Sequence, residues 1–291
     1  MSFVEDALKF HAEHNGMLAV ASKVPLNNRE DLALAYTPGV AEPCKAIKEN
    51  KELSFEYTCR GNTVAIVSDG TRVLGLGDIG PEAAMPVMEG KAVLFKTFGD
   101  VDAIPICIDT KDPEEIIETV RRLQPTFAGI NLEDFSSPKC YEIEDRLREI
   151  CDIPVFHDDQ HGTAIACLSA VMGALRYVKK DIKDVKVVVN GCGAAGSAIG
   201  RLFVSMGFPN VIMVERVGAL YKGIDAKLDK IQRYLSEVTN PNMEKGTLTE
   251  VAKGADILVG VSGPNLFTKE IIGSMADKAI VFGLANPVPE T

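Results

Sequence analysis

No cluster of lysine or arginine stands out in this 291-residue chain, whose 31 basic and 41 acidic residues leave a formal net charge of −10. A surface built for nucleic acid or acidic lipid needs a basic patch, so neither partner is expected. Any C-x-x-C pair is missing too: the seven cysteines, at positions 44, 59, 107, 140, 151, 167 and 192, are odd in number and scattered. Such a pattern argues against a disulfide framework or a zinc knuckle and suits reduced thiols in the cytoplasm. The N-terminal stretch MSFVEDALKFHAEHNG is amphipathic and lacks the long apolar core of a signal peptide or membrane span. There are no internal repeats, no low-complexity tract and no long linker, which leaves an ordinary folded chain acting on small molecules.

What is present is 46% hydrophobic residues over a length that accommodates two cores. From about residue 60 onward, short β-branched runs alternate with helical patterns. TVAIVSD is followed by PEAAMPVMEGKAVLFKTF, then DAIPICID, PEEIIETVRRL, TFAGINL and IPVFHDD. A helix over Gly162 to Tyr177 comes next, then VKVVVNG, a helix over Ala194 to Met206, NVIMVER, ADILVGV and KAIVFGLANP. That rhythm predicts an α/β chain with mainly parallel sheets. The polar stretch KKDIKD, Lys179 to Asp184, is the expected boundary, since a buried strand and a glycine loop start just after it. The expected organisation is an N-terminal α/β domain over residues 1–180, then a Rossmann-type, doubly wound dinucleotide-binding domain over 181–291.

VKVVVNGCGAAGSAIGRLF runs from an apolar strand through Gly191-x-Gly193-x-x-Gly196 into a small-residue helix. Gly191 allows the tight turn, Gly193 the approach of backbone to a pyrophosphate, and Gly196 close helix packing; Ala194 and Ala195 open the helix whose N-terminus faces the phosphates. A glycine-lined turn without a ligand is the plainer alternative. Glu215, about two dozen residues on at the end of the next strand, is where a ribose-binding acid belongs. Its charge favours NAD by opposing a 2′-phosphate, while Arg216 beside it leaves NADP open.

Two acidic pairs, Glu133-Asp134 and Asp158-Asp159, each follow a predicted parallel strand, where open α/β sheets form their ligand crevice. Converging carboxylates repel one another unless a cation neutralises them, and hard oxygen ligands suit Mg²⁺ or Mn²⁺. The same pairs also suit helix N-termini, and spacing alone does not choose. His157 and His161 flank the second pair, but HDDQH lacks the H-E-x-x-H order and a third soft ligand, which argues against zinc.

Five segments then carry a likeness: AYTPGVAEPC, SDGTRVLGLGDIGPEAAMPVMEGKAVLFK, INLEDF, FHDDQHGTA and NGCGAAG, spanning about Asp31 to the terminal ANPVPE. Long motifs in this order resemble the malic enzyme family, in its smaller bacterial and archaeal branch. The resemblance implies oxidative decarboxylation of L-malate to pyruvate and CO₂ with NAD or NADP and a divalent metal, in a homodimer. It implies Tyr36 as the acid that protonates the enol, Lys91 as the general base and Arg72 as the holder of a substrate carboxylate. Glu133, Asp134 and Asp159 match the metal ligands, with Asp158 behind them, and Asn286 the asparagine near nicotinamide and substrate. For Lys91 to act as base its pKa must fall from about 10.4, which proximity to a metal and partial burial would achieve, and Tyr36, hydrogen-bonded to it, would relay the proton. Because family members continue past this last motif, a dinucleotide domain incomplete at its C-terminus is expected. The rival activities are a malolactic enzyme and a non-catalytic dinucleotide-binding sensor.

Overall fold

The computed structural model describes residues 2–286 and 288–291. The chain forms two compact units. The first consists of Met1–Val73, Asp78–Phe135 and Ile143–Phe156, the second of Leu74–Gly77, Ser136–Glu142 and His157–Thr291.

The first unit is built on β1 (Thr63–Ser68), β2 (Asp102–Cys107), β3 (Gly129–Leu132) and β4 (Val155–His157), in the order β2-β1-β3-β4. β1 pairs in parallel with both its neighbours, Val64 standing opposite Ala103 on one side and Gly129 on the other. Thr63, Ile66 and Val67 are buried and Val64 is partly so, as expected for a strand covered on both faces. Helix Pro81–Gly99 opens with Pro81 in its first turn, where a missing N–H costs nothing. It buries Ala84, Met88 and Ala92, spaced by four on one face, and the last two pack in a cluster with Ile66 and Ala103. Helix Pro113–Leu123 is capped by Asp112, whose carboxylate accepts from the amides of Glu114 and Glu115, and buries Ile116, Ile117 and Val120. Asp102 is held below the usual carboxylate range by its hydrogen bond to Lys96, a pin between the strand start and the end of helix Pro81–Gly99.

The second unit contains β5 (Lys186–Asn190), β6 (Asn210–Glu215), β7 (Gly218–Ala219), β8 (Ile257–Gly260) and β9 (Ile280–Gly283), in the order β7-β6-β5-β8-β9. All neighbours are parallel except the short β6–β7 pair. Side-chain alternation along β5 sends Val187 and Val189 to one cluster and Val188 to the other. The first cluster holds helices Thr163–Val178 and Ala194–Ser205 through Cys167, Val171, Leu175, Ile199 and Phe203; the second holds Val251, Ala252, Phe267 and Ile271. Apolar layers on both faces of a parallel sheet make this unit doubly wound, as the sequence rhythm predicted.

The expected boundary near residue 180 and the compact units do not coincide. Helix Thr163–Val178 presents Ala164, Cys167, Val171 and Leu175 to the β5–β8 layer and thus belongs to the second unit. KKDIKD is its turn into β5: Lys180 reaches the Asp256 carboxylate at 2.7 Å and Lys186 reaches Glu244 at 2.6 Å. No described helix is long and apolar enough to cross a membrane.

Candidate metal and dinucleotide sites

β3 and β4 are neighbours in the first sheet, and each is followed at once by an acidic pair. After β3, Glu133 and Asp134 are nearly buried, at 5% and 6% exposure. Asp134 turns the chain with a left-handed φ of 59°, a conformation that a short polar side chain tolerates. Its carbonyl accepts from the Arg72 amide at 3.0 Å, which fixes the loop after β1 against the loop after β3. Glu133 is held from two sides: its Oε2 accepts from Asn131 Nδ2 at 2.8 Å, and its Oε1 stands 3.0 Å from Lys91 Nζ. After β4, residues Asp158–Gly162 form one π-type turn. Gly162 lacks a Cβ where one would overlap the Asp158 carboxylate, so the turn closes over that acid. Asp159 Oδ2 lies 4.0 Å from the ring of fully buried His157.

Glu133, Asp134 and Asp159 each offer a carboxylate oxygen, and these atoms all lie within 4.8 Å of one another. Three anionic oxygens at that spacing repel one another; the Lys91 ammonium, 3.0 Å from Glu133, offsets part of that charge, and a divalent cation among the three oxygens would offset more. The donor set is all oxygen, so it fits Mg²⁺ or Mn²⁺ and not zinc. His157 and His161 take no part in this group.

The other expected substrate groups are less gathered. Lys91, on helix Pro81–Gly99, is brought to Glu133. Arg72 is exposed at the mouth of the loop after β1 and reaches the acidic turn through its backbone. The expected hydrogen bond between Tyr36 and Lys91 is not formed. Tyr36 closes helix Arg29–Ala35, is 68% exposed, and its hydroxyl makes no hydrogen bond among the described residues. That helix buries no residue, so nothing holds the phenol inward.

The glycine loop lies at the C-terminal end of β5. Gly191 has a φ of 116°, and a Cβ there would stand 2.9 Å from the Val261 carbonyl. Gly196 packs so closely on Gly191 that a Cβ would overlap its carbonyl. Gly193 is the N-cap residue of helix Ala194–Ser205 and brings no capping side chain, so it leaves the first amides to a ligand. Ala194 and Ala195 are the first helical residues. Glu215, at the end of β6, accepts from the Cys192 amide at 3.3 Å and the Arg216 amide at 3.0 Å. The acid therefore sits against the loop it was expected to serve. Asn286 is exposed in the loop after β9, and Pro287 beside it lies outside the described residues.

Sequence reading overlooked Asn131, Ser262 and Glu290 as residues that hold these loops. Asn131 stands two residues before Glu133 and therefore on the same side of the strand, a signal that period-two reading makes available.

A parallel sheet carrying acids at its strand ends, and a doubly wound unit with a glycine loop after its central strand, are the features of the dinucleotide-binding α/β class of folds. Residues 15–148 match the family described as malic enzyme, N-terminal domain, and residues 160–291 match malic enzyme, NAD binding domain. The chain belongs to the malic enzyme family. It is 52% identical over 275 residues to an NAD-dependent malic enzyme of Geobacillus stearothermophilus, covering 94% of this chain and 57% of that protein. It is 49% identical over 290 residues to a bifunctional malic/malolactic enzyme of Bacillus subtilis, covering 100% of this chain and 71% of that one. The crystal structure of an NAD-dependent malic enzyme from Thermotoga maritima matches with a TM-score of 0.95 at 48% identity, covering 98% of this chain and 76% of the other. The chain thus spans somewhat over half the length of the first of these relatives.

Proposed function

We propose that the protein oxidises and decarboxylates L-malate to pyruvate and CO₂, with NAD(P)⁺ as acceptor and Mg²⁺ or Mn²⁺ as the cation. The observation that carries this reading is the convergence of Glu133, Asp134 and Asp159 in a chain that also holds a complete glycine loop. Family membership and the printed activities of the relatives support it.

When bound, the cation polarises the substrate oxygens as a Lewis acid and the dinucleotide accepts hydride. The remaining work falls to side chains. Glu133, Asp134 and Asp159 hold the cation, and Asp158 orders the turn that presents Asp159. Lys91, oriented by Glu133, takes the C2 hydroxyl proton as hydride leaves C2. Arg72 offers a planar, always-charged donor for a malate carboxylate. Loss of CO₂ leaves an enol that needs a proton at C3, and Tyr36 supplies it. Gly191, Gly193, Ala194, Ala195 and Gly196 receive the pyrophosphate, Glu215 the adenosine ribose, and Asn286 the nicotinamide side. Glu215 beside the loop favours NAD over NADP, because a 2′-phosphate would meet its charge.

The assembly we propose is a homodimer. Its support is that helices Phe3–His14, Arg29–Ala35 and Ala41–Glu49 bury no residue, while Phe3, Leu8 and Leu34 stand at 88%, 70% and 72% exposure. Apolar surface of that kind usually marks an interface. A cytoplasmic location fits the seven cysteines, none of which forms a disulfide among the described residues, with burial pushing the Cys167 thiol up to about 12.

Product analysis tests the reaction. Malate, Mn²⁺ and NAD⁺ should yield pyruvate and NADH in equal amounts. Lactate without net NADH would assign the malolactic reaction that the Bacillus subtilis relative's name includes. Tight dinucleotide binding without either product would assign a sensor.

A further inference from the structure

Glu290 is a carboxylate with no exposed surface, and it makes no ion pair among the described residues. Burying a charge is costly unless hydrogen bonds repay it. Its two oxygens go to two different loops: Oε1 accepts from the Ser262 amide at 2.9 Å and Oε2 from the Ala285 amide at 3.1 Å. Ser262 follows β8 and Ala285 follows β9. The next strand end is tied in as well, because Asn190 at the end of β5 donates to Ser262 Oγ at 2.8 Å. The chain makes room for this carboxylate at Gly260, where a Cβ would overlap it. Its own backbone is fixed too, with the Phe267 amide donating to the Glu290 carbonyl at 2.8 Å.

The place of these loops gives the arrangement its meaning. In a sheet ordered β7-β6-β5-β8-β9 the strand order reverses between β5 and β8, and a dinucleotide crosses there. Its adenine half lies toward β6 and Glu215, which leaves the nicotinamide half over the ends of β8 and β9. Those are the two loops that Glu290 joins, and Asn286 is the residue after Ala285.

We propose that Glu290 is a positioning residue for the nicotinamide half of the dinucleotide site. By holding the Ser262 and Ala285 amides together, its carboxylate sets the distance between the loops after β8 and β9 and the placement of Asn286. The proposal rests on the dinucleotide reading above. A glutamine keeps the shape but turns an N–H₂ toward one backbone N–H, so one of the two bonds is lost.

The test compares two probes on the same chain: NADH, followed by its own fluorescence, and ADP-ribose, which has the adenine half and both phosphates but no nicotinamide. Glu290→Gln should weaken NADH about ten-fold, about 1.4 kcal/mol, and leave ADP-ribose within about two-fold. Gly260→Ala, which crowds the carboxylate without removing it, should give the same split. Equal weakening of both probes, or no change in either, would overturn the positioning role. So would loss of folding in both variants, which would make Glu290 a folding residue. A wild-type chain that binds ADP-ribose but not NADH would overturn it as well, whereas binding of neither probe would remove the dinucleotide reading beneath it.

Discussion

Lys91 and Glu133 meet at 3.0 Å although 42 positions separate them in the chain, with Lys91 22% exposed and Glu133 6% exposed at the side chain. An amine held there can reach a substrate hydroxyl only if that substrate also faces the acids. Lys91→Ala should therefore lower malate oxidation by about 10² to 10⁴, the usual cost of losing a positioned base, while leaving Mn²⁺ affinity by calorimetry nearly unchanged. Partial recovery with added ammonium would support a proton-transfer role, and an unaltered rate would strip Lys91 of it. At this scale the acids were legible, because their place after apolar strands is a sequence property. The Lys91–Glu133 pair was not, since it depends on how helix Pro81–Gly99 is rotated on the sheet. Tyr36 is the converse case: its motif is specific, but a side chain at the end of a helix without buried residues is not positioned by motif alone. For Glu215 the reading concerns charge, and Glu215→Ser should shift the NADP⁺ to NAD⁺ ratio of kcat/KM upward about ten-fold or more. A wild-type preference for NADP⁺ would show that Arg216 dominates.

Among the elements, the strands and both helices flanking the glycine loop follow the sequence periodicity closely; helix Ala194–Ser205 stops one residue short of the expected end. What periodicity does not carry is allegiance. Helix Thr163–Val178 has a clear apolar face, but which sheet it covers is decided by tertiary packing. Cys167, Val171 and Leu175 join Val187 and Val189 in one layer, so the polar stretch after the helix is a loop within the second unit. Leu175→Ala should cost about 2–5 kcal/mol through the lost burial and the cavity left behind. Hydrogen exchange should show the loss in β5 and β8 and leave β1 and β2 protected. Equal deprotection of β1 would place the helix in a shared core instead.

For the whole molecule, a chain of net charge −10 that leaves Phe3, Leu8 and Leu34 in solvent can hide them by self-association, against a different partner or against chain beyond these 291 residues. We expect the first. Sedimentation velocity at micromolar concentration should give a dimer, and replacing Phe3 and Leu8 with serine should move it toward monomer, since each apolar side chain withdrawn from an interface costs about 1.5–3 kcal/mol. A monomeric wild type would contradict the dimer.

The proposed reaction depends most on three carboxylates acting as one cation site. The direct measurement is the initial rate of NADH formation from L-malate and NAD⁺ as Mn²⁺ is titrated, with Asp159→Ala alongside and NADH binding followed in both proteins. The prediction is saturable Mn²⁺ dependence in the wild type, abolition by chelator, and no Mn²⁺ response in Asp159→Ala, with NADH affinity preserved. Malate-dependent NADH formation that continues in chelator, or an Asp159→Ala protein that responds to Mn²⁺ as the wild type does, would contradict it.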